Sequence, residues 1–312
     1  MRKVLGIAFA AILVTSPAWG QASARLTAER EALPEPLLEI SEQDVGLALG
    51  GEKIVGTLTL PEGSDAAPVV LMLHGFTGSR DELDIEDTDE GVFSRTARLW
   101  AERGLGSLRI DFRGSGDSDG DWEDTTFSGQ IADALAAVDW LANEPRVDSE
   151  RIAVLGWSQG GLVAAATAAG DQRVASVALW APVAHPPATF GALFGTEGIA
   201  AGLASGDEAV DIELSWGSQI ELRRAFFEEL YTVDPLARIS HYPGPLLVIV
   251  GTRDDVVSPQ PLSGRAYTEN HEGEEELLVL DTDHVFGAFG GPETVDEMAL
   301  WTLAWFHLTL LD

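Results

Sequence analysis

Apolar positions fall along this chain in two rhythms. Short, nearly uninterrupted apolar runs at Pro68 to Leu73, Leu105 to Phe112, Arg151 to Gly156, Val174 to Trp180, Pro245 to Val250 and Glu276 to Leu280 have the length of strands. They lack regular polar alternation, as strands covered on both faces do. Between them, helical spacing predicts helices at Val92 to Arg103, near Gln130 to Ala142, through the alanine-rich run that ends at Ala169, from Ser258-Pro259 onward, and from about Glu293 to Leu310. Strands that alternate with helices predict an α/β fold with a mostly parallel central sheet and helices on both faces. Before the first of these runs, Val45 to Leu49 and Ile54 to Leu60 predict a hairpin that turns at Gly50-Gly51.

The alternation pauses between Val183 and Tyr242. This stretch is rich in Gly, Ala and aromatic residues (Phe190, Phe194, Trp216, Phe226, Phe227, Tyr231), with one helical pattern near Ser218 to Leu230. It is too long for a plain connection, so an inserted cap over residues 183–242 is expected. At the other end, residues 1–20 combine Arg2 and Lys3 with an apolar run from Val4 to Val14 and small residues from Ala18 onward. That pattern predicts a secretory signal peptide cleaved near residues 20–24, and so an exported, periplasmic or extracellular bacterial protein. The apolar run is too short and too interrupted for a membrane span. Residues 21–43, with Pro34 and Pro36, predict a mobile leader ahead of a domain spanning 44–312.

Charge and cysteine content narrow the functional classes. With 51 acidic against 19 basic residues the formal net charge is −32, which disfavours nucleic acid and anionic lipid as partners. The chain has no cysteine, which removes disulfides, thiol nucleophiles and thiolate metal sites. The acidic stretch RDELDIEDTDEG lacks calcium-loop spacing and is expected to be a solvated loop. No metal or cofactor is expected.

Chemistry enters at Gly156-Trp157-Ser158-Gln159-Gly160, set between an apolar strand and a small-residue helix. A serine on such a sharp strand-to-helix turn projects its hydroxyl beyond the sheet edge, and glycine two residues to either side avoids collision. The same pattern recurs at Gly116-Asp117-Ser118-Asp119-Gly120, but acidic neighbours and the irregular DWEDTT that follows mark Ser118 as a turn residue. A serine hydroxyl needs an imidazole base and a carboxylate to orient it, which follow in the order Ser, acid, His. Late strands run into GTRDDVV and DTDHVFG, nominating Asp254, in preference to adjacent Asp255, and His284. His271 sits in a polar connection and His307 in the terminal helix, where structural roles fit better.

HGFTG (74–78), DFRGSG (111–116), GWSQGG (156–161), GTRDDVV (251–257) and Asp283-His284, in that order, resemble the α/β-hydrolase superfamily, in particular its bacterial cinnamoyl or feruloyl esterase-type acyl hydrolases. The resemblance implies that the backbone N–H groups of Phe76 and Gln159 form an oxyanion hole, that His74 shapes its turn, and that residues 183–242 are a lid. It also implies hydrolysis of carboxylic esters of small molecules through an acyl-enzyme. An exopeptidase or amidase like the catalytic domain of prolyl oligopeptidase is the alternative within enzymes. A non-catalytic binding protein on the same fold is the alternative outside them.

Overall fold

The computed structural model describes residues 22–311; the expected signal segment 1–20 lies outside them. In chain order the strands of the main sheet are β1 (Ile40–Leu49), β2 (Glu52–Pro61), β3 (Ala67–Leu73), β4 (Gly106–Ile110), β5 (Val147–Trp157) and β6 (Val174–Trp180). After a two-stranded hairpin of β7 (Val210–Glu213) and β8 (Gln219–Leu222), the sheet is completed by β9 (Leu246–Gly251) and β10 (Glu275–Leu280). Its order is β1-β2-β4-β3-β5-β6-β9-β10. The first two pairings, β1 with β2 and β2 with β4, are antiparallel, and all the others are parallel.

The apolar runs are explained by burial on both faces. Side chains alternate across β3, so Val69, Leu71 and Leu73 enter one core while Val70 and Met72 enter the other. The helices are α1 (Ala24–Ala32), α2 (Val92–Ala101), α3 (Phe127–Asn143), α4 (Gln159–Gly170), α5 (Pro186–Ala204), α6 (Arg224–Glu229), α7 (Pro235–Ile239), α8 (Leu262–Asn270) and α9 (Glu293–Phe306). Residues of α3, α4, α8 and the cap fill the first core; those of α1, α2 and α9 fill the second. Truncating one such buried leucine to alanine removes about 2–5 kcal/mol, a large part of a domain's net stability. No described helix is long and apolar enough to cross a membrane.

Three expectations need correction. Within the mobile leader expected at 21–43, residues 24–32 instead form helix α1: Ser23 caps it by accepting from Leu26 N at 3.2 Å, and Leu26 is fully buried in the second core. Arg30 adds a stacking contact, 4.5 Å above the Trp301 ring. One leucine among alanines and polar residues leaves no clear apolar periodicity to detect. The hairpin also begins earlier, at Ile40, because the exposed edge strand β1 satisfies its partner through polar side chains: Thr57 donates to Asp44 and Thr59 to Glu42.

Between β6 and β9, over the residues where a cap is expected, the elements differ from those the sequence predicts. The helical pattern near Ser218 to Leu230 is split, with residues 219–222 in strand β8 and only Arg224–Glu229 helical. A long helix, α5, occupies 186–204 and is bent at Gly195, whose φ of 68° suits glycine. Repeated glycines in α5 hide it from a propensity argument.

Candidate active site

Ser158 sits between the end of β5 and the start of α4 with φ 55° and ψ −115°, a conformation that costs a non-glycine residue roughly 1–3 kcal/mol. The surroundings enforce it. Ser158 N donates to Trp180 O at 2.8 Å, and Ser158 O accepts from Gly161 N at 3.1 Å and Val183 N at 3.0 Å. The flanking glycines are required by space: a Cβ on Gly156 would lie 2.1 Å from Gly160 O, and one on Gly160 would lie 2.1 Å from Leu73 O.

Two later strand ends bring the other groups to this turn. His284, four residues past β10, places Nε2 3.1 Å from Ser158 Oγ and Nδ1 2.8 Å from Asp254 Oδ2. Asp254 follows β9 and is buried, and its second oxygen accepts from Val256 N at 2.9 Å and Val257 N at 2.8 Å. Asp255 is exposed to solvent. The His284 loop is anchored by Asp283 Oδ1, which accepts from Gly287 N at 2.9 Å, and by fully buried Phe286.

The turn after β3 forms the opposite wall. His74 is fully buried, donates from Nδ1 to Gly75 O at 2.8 Å and accepts at Nε2 from Phe112 N at 3.2 Å. Burial lowers its pKa to about 4, with the Gly75 bond and Asp111 opposing, so it is a neutral brace for the turn. The Phe76 ring packs between Trp122 at 5.5 Å and Phe190 at 5.3 Å, tying the turn to the cap. Gln159 is the first residue of α4, where the N–H has no partner within the helix, and its side chain is held by Gln130 Oε1 at 2.7 Å.

The other candidates are placed elsewhere. Ser118 Oγ donates to Asp111 O at 2.7 Å and accepts from Val55 N at 2.8 Å, so its hydroxyl is consumed in bracing a loop. His271 Nε2 lies 2.9 Å from Gly244 O, and His307 lies 3.5 Å from Glu29. The acidic stretch is not wholly solvated as expected: Ile85 is buried in the second core, and Glu82 folds back to accept from Gly75 N, where desolvation pushes its pKa to about 8 despite that bond.

Ser158 and His284 open onto a cavity of about 340 Å³. Its walls are mostly apolar, with Phe76 and Trp157 near the serine, Phe190 and Leu193 from α5, and Trp216 and Phe289, which are half exposed or more. Of the cap aromatics, Phe226 and Phe227 belong to the core, and Tyr231 is exposed. Leu193, Val256, Val285 and Phe289 were not recognisable as cavity residues in the sequence, because an isolated aliphatic or aromatic residue outside a regular apolar pattern carries no signal of which surface it will face.

What holds Ser158 in its strained turn is a parallel sheet edge, the place where acyl-transferring α/β enzymes put a nucleophile. The protein therefore has the fold of the α/β hydrolases. Residues 124–280, half of the chain, match the family described as alpha/beta hydrolase fold, and the chain belongs to it. A second family, described as X-Pro dipeptidyl-peptidase (S15 family), matches residues 50–190.

An uncharacterised 31.7 kDa protein from the traX-finO intergenic region of Escherichia coli is 32% identical over 123 residues, 39% of this chain and 40% of that protein. The chain thus spans about 40% of the length of the first curated relatives it matches. An uncharacterised Mycobacterium tuberculosis protein is 28% identical over 257 residues, 82% of this chain and 73% of its own. Among solved structures, ferulic-acid-bound Est1E from Butyrivibrio proteoclasticus superposes with a TM-score of 0.69 at 23% identity, covering 86% of this chain and 99% of that one. At that identity the likeness speaks for the fold.

Proposed function

We propose that the protein hydrolyses carboxylic esters through a Ser158-His284-Asp254 triad. The observation that carries this reading is the unbroken run of hydrogen bonds from Asp254 Oδ2 through both His284 nitrogens to Ser158 Oγ. His284 Nε2 takes the hydroxyl proton as Ser158 Oγ attacks the ester carbonyl, and Asp254 stabilises the imidazolium. The carbonyl oxygen gains negative charge and is met by the N–H groups of Phe76 and Gln159, each worth roughly 3 kcal/mol to a transition state. Collapse breaks the carbon–oxygen bond to the alcohol, which leaves with the proton from His284. Water, deprotonated by the same histidine, then attacks the acyl-serine and regenerates the free hydroxyl.

The cavity favours an uncharged acyl group, since the residues lining it are mostly apolar and include no arginine or lysine. Its volume of about 340 Å³ suits one substituted ring or a short alkyl chain, at the small end of ligand sites. The match to the dipeptidyl-peptidase family over residues 50–190 favours a second reading, amide cleavage by the same triad. Parallel kcat/KM measurements on p-nitrophenyl esters and aminoacyl p-nitroanilides separate the two. The ester reading expects esters to be preferred by at least a hundredfold, and preference for anilides would replace it with the peptidase reading. The N-terminal pattern supports export as part of the proposal. Cleavage after Gly20 would preserve the Ser23 cap of α1, and mass determination of the secreted chain tests this.

A further inference from the structure

Glu82 is conspicuous beside the nucleophile. It comes from the acidic connection between β3 and α2, yet its carboxyl accepts the Gly75 N–H and lies against Gly78, where an added Cβ would be 2.9 Å from Oε2. The Gly75 position that meets Glu82 Oε1 at 3.4 Å also meets Ser158 Cβ at 3.5 Å. Glu82 itself has φ 63° and Thr77 φ 64°, so two non-glycine residues are held in the left-handed region around this turn. Such conformations persist where the surroundings over-determine them, and they gather at functional sites.

We propose that Glu82 is the positioning residue of the oxyanion turn: its carboxyl clamps residues 75–78 from the cavity side and so fixes the Phe76 N–H. This deepens the ester-hydrolase reading and rests on it. The clamp works as a neutral acid. Arg80 is bonded to Asp111 and Asp117, and Asp81 lies 3.1 Å from Arg109, so the two charged residues that precede it are engaged elsewhere, while Asp84, Glu86, Asp87 and Asp89 are exposed to solvent. Across the cavity the turn, the end of β5, α5, Trp216, Val256 and the loop after β10 surround it, and among the described lining residues the ionisable side chains are Glu82 and His284. With no cation facing it, desolvation keeps the proton on, up to a pKa of about 8. A neutral carboxyl accepts the Gly75 N–H and leaves the site free of negative charge where the oxyanion forms. Loss of the proton places an anion beside that oxygen and raises the barrier. Turnover then falls as pH rises through about 8.

The test compares wild type, Glu82→Ala and Glu82→Gln with p-nitrophenyl acetate between pH 6 and 10, alongside thermal melts and labelling by a fluorophosphonate. Glu82→Ala is expected to lower kcat about a hundredfold with KM changed less than about threefold, since the lost contact acts on the transition state. Glu82→Gln keeps a neutral acceptor for Gly75 and is expected to retain kcat at pH 7 within about fivefold while losing the decline near pH 8. Normal kcat in folded Glu82→Ala, or an unchanged decline in Glu82→Gln, overturns the inference. If Glu82→Ala does not fold, the Glu82→Gln profile decides alone. Absence of Ser158-dependent turnover and labelling in wild type would instead remove the hydrolase mechanism beneath it.

Discussion

Asp254 divides its two carboxylate oxygens between two tasks: Oδ2 lies 2.8 Å from His284 Nδ1, while Oδ1 accepts the N–H groups of Val256 and Val257. The backbone bonds fix the carboxylate, and the fixed carboxylate orients the imidazole. Asp254→Asn keeps the shape but favours the wrong imidazole tautomer, so kcat should fall by about 10³-fold or more. Asp255→Asn, at an exposed position, should change kcat less than about threefold. Steady-state kinetics of the two variants check this, and the reverse ranking would move the acid to Asp255.

The strand-to-helix turn at Ser158 bears on folding rather than chemistry. Gly160→Ala would place a methyl 2.1 Å from Leu73 O, in backbone that has nowhere to move. A loss of about 3 kcal/mol or more, or failure to accumulate as folded protein, is expected. Gly170→Ala, at the end of the same helix, meets nothing nearer than 3.9 Å and should melt within a few degrees of wild type.

How much of this was legible in the sequence differs from element to element. Strand β6 was readable to the residue, because a strand covered on both faces announces itself as a bare apolar run. Strand β1 was half readable, because its solvent-facing residues pair through Asp44 and Glu42 and look like loop. The order Ser, acid, His singled out the residues the fold brings together, since strand ends of a parallel sheet converge on one edge. Glu82 was hidden for the opposite reason. A glutamate within an acidic run looks solvated, and only the closure of the 75–78 turn against it takes water away.

Buried titratable groups give the protein two opposed pH dependences. His74 titrates near 6.5 when unfolded and about 4 when folded, so the unfolded chain binds the proton first as pH falls. Stability is intact above about 6.5 and is lost as pH drops through 4, by on the order of 3 kcal/mol. Glu82 works in the other sense, with a pKa raised from 4.5 to about 8. Its contribution is fully present below 4.5 and lost as pH rises through 8. Urea titrations at pH 4.5, 6.5 and 8.5 should show a smaller acid-side loss in His74→Gln than in wild type. Glu82→Gln should show a smaller alkaline-side loss. Equal losses in variant and wild type would mean that these side chains are solvated.

The hydrogen-bonded serine carries the whole functional reading, so its removal is the most direct test. Ser158→Ala should leave the thermal melt within a few degrees of wild type, abolish fluorophosphonate labelling and lower kcat on p-nitrophenyl acetate by about 10⁴-fold or more. A folded Ser158→Ala protein that still turns over the ester at near wild-type rate would contradict the account.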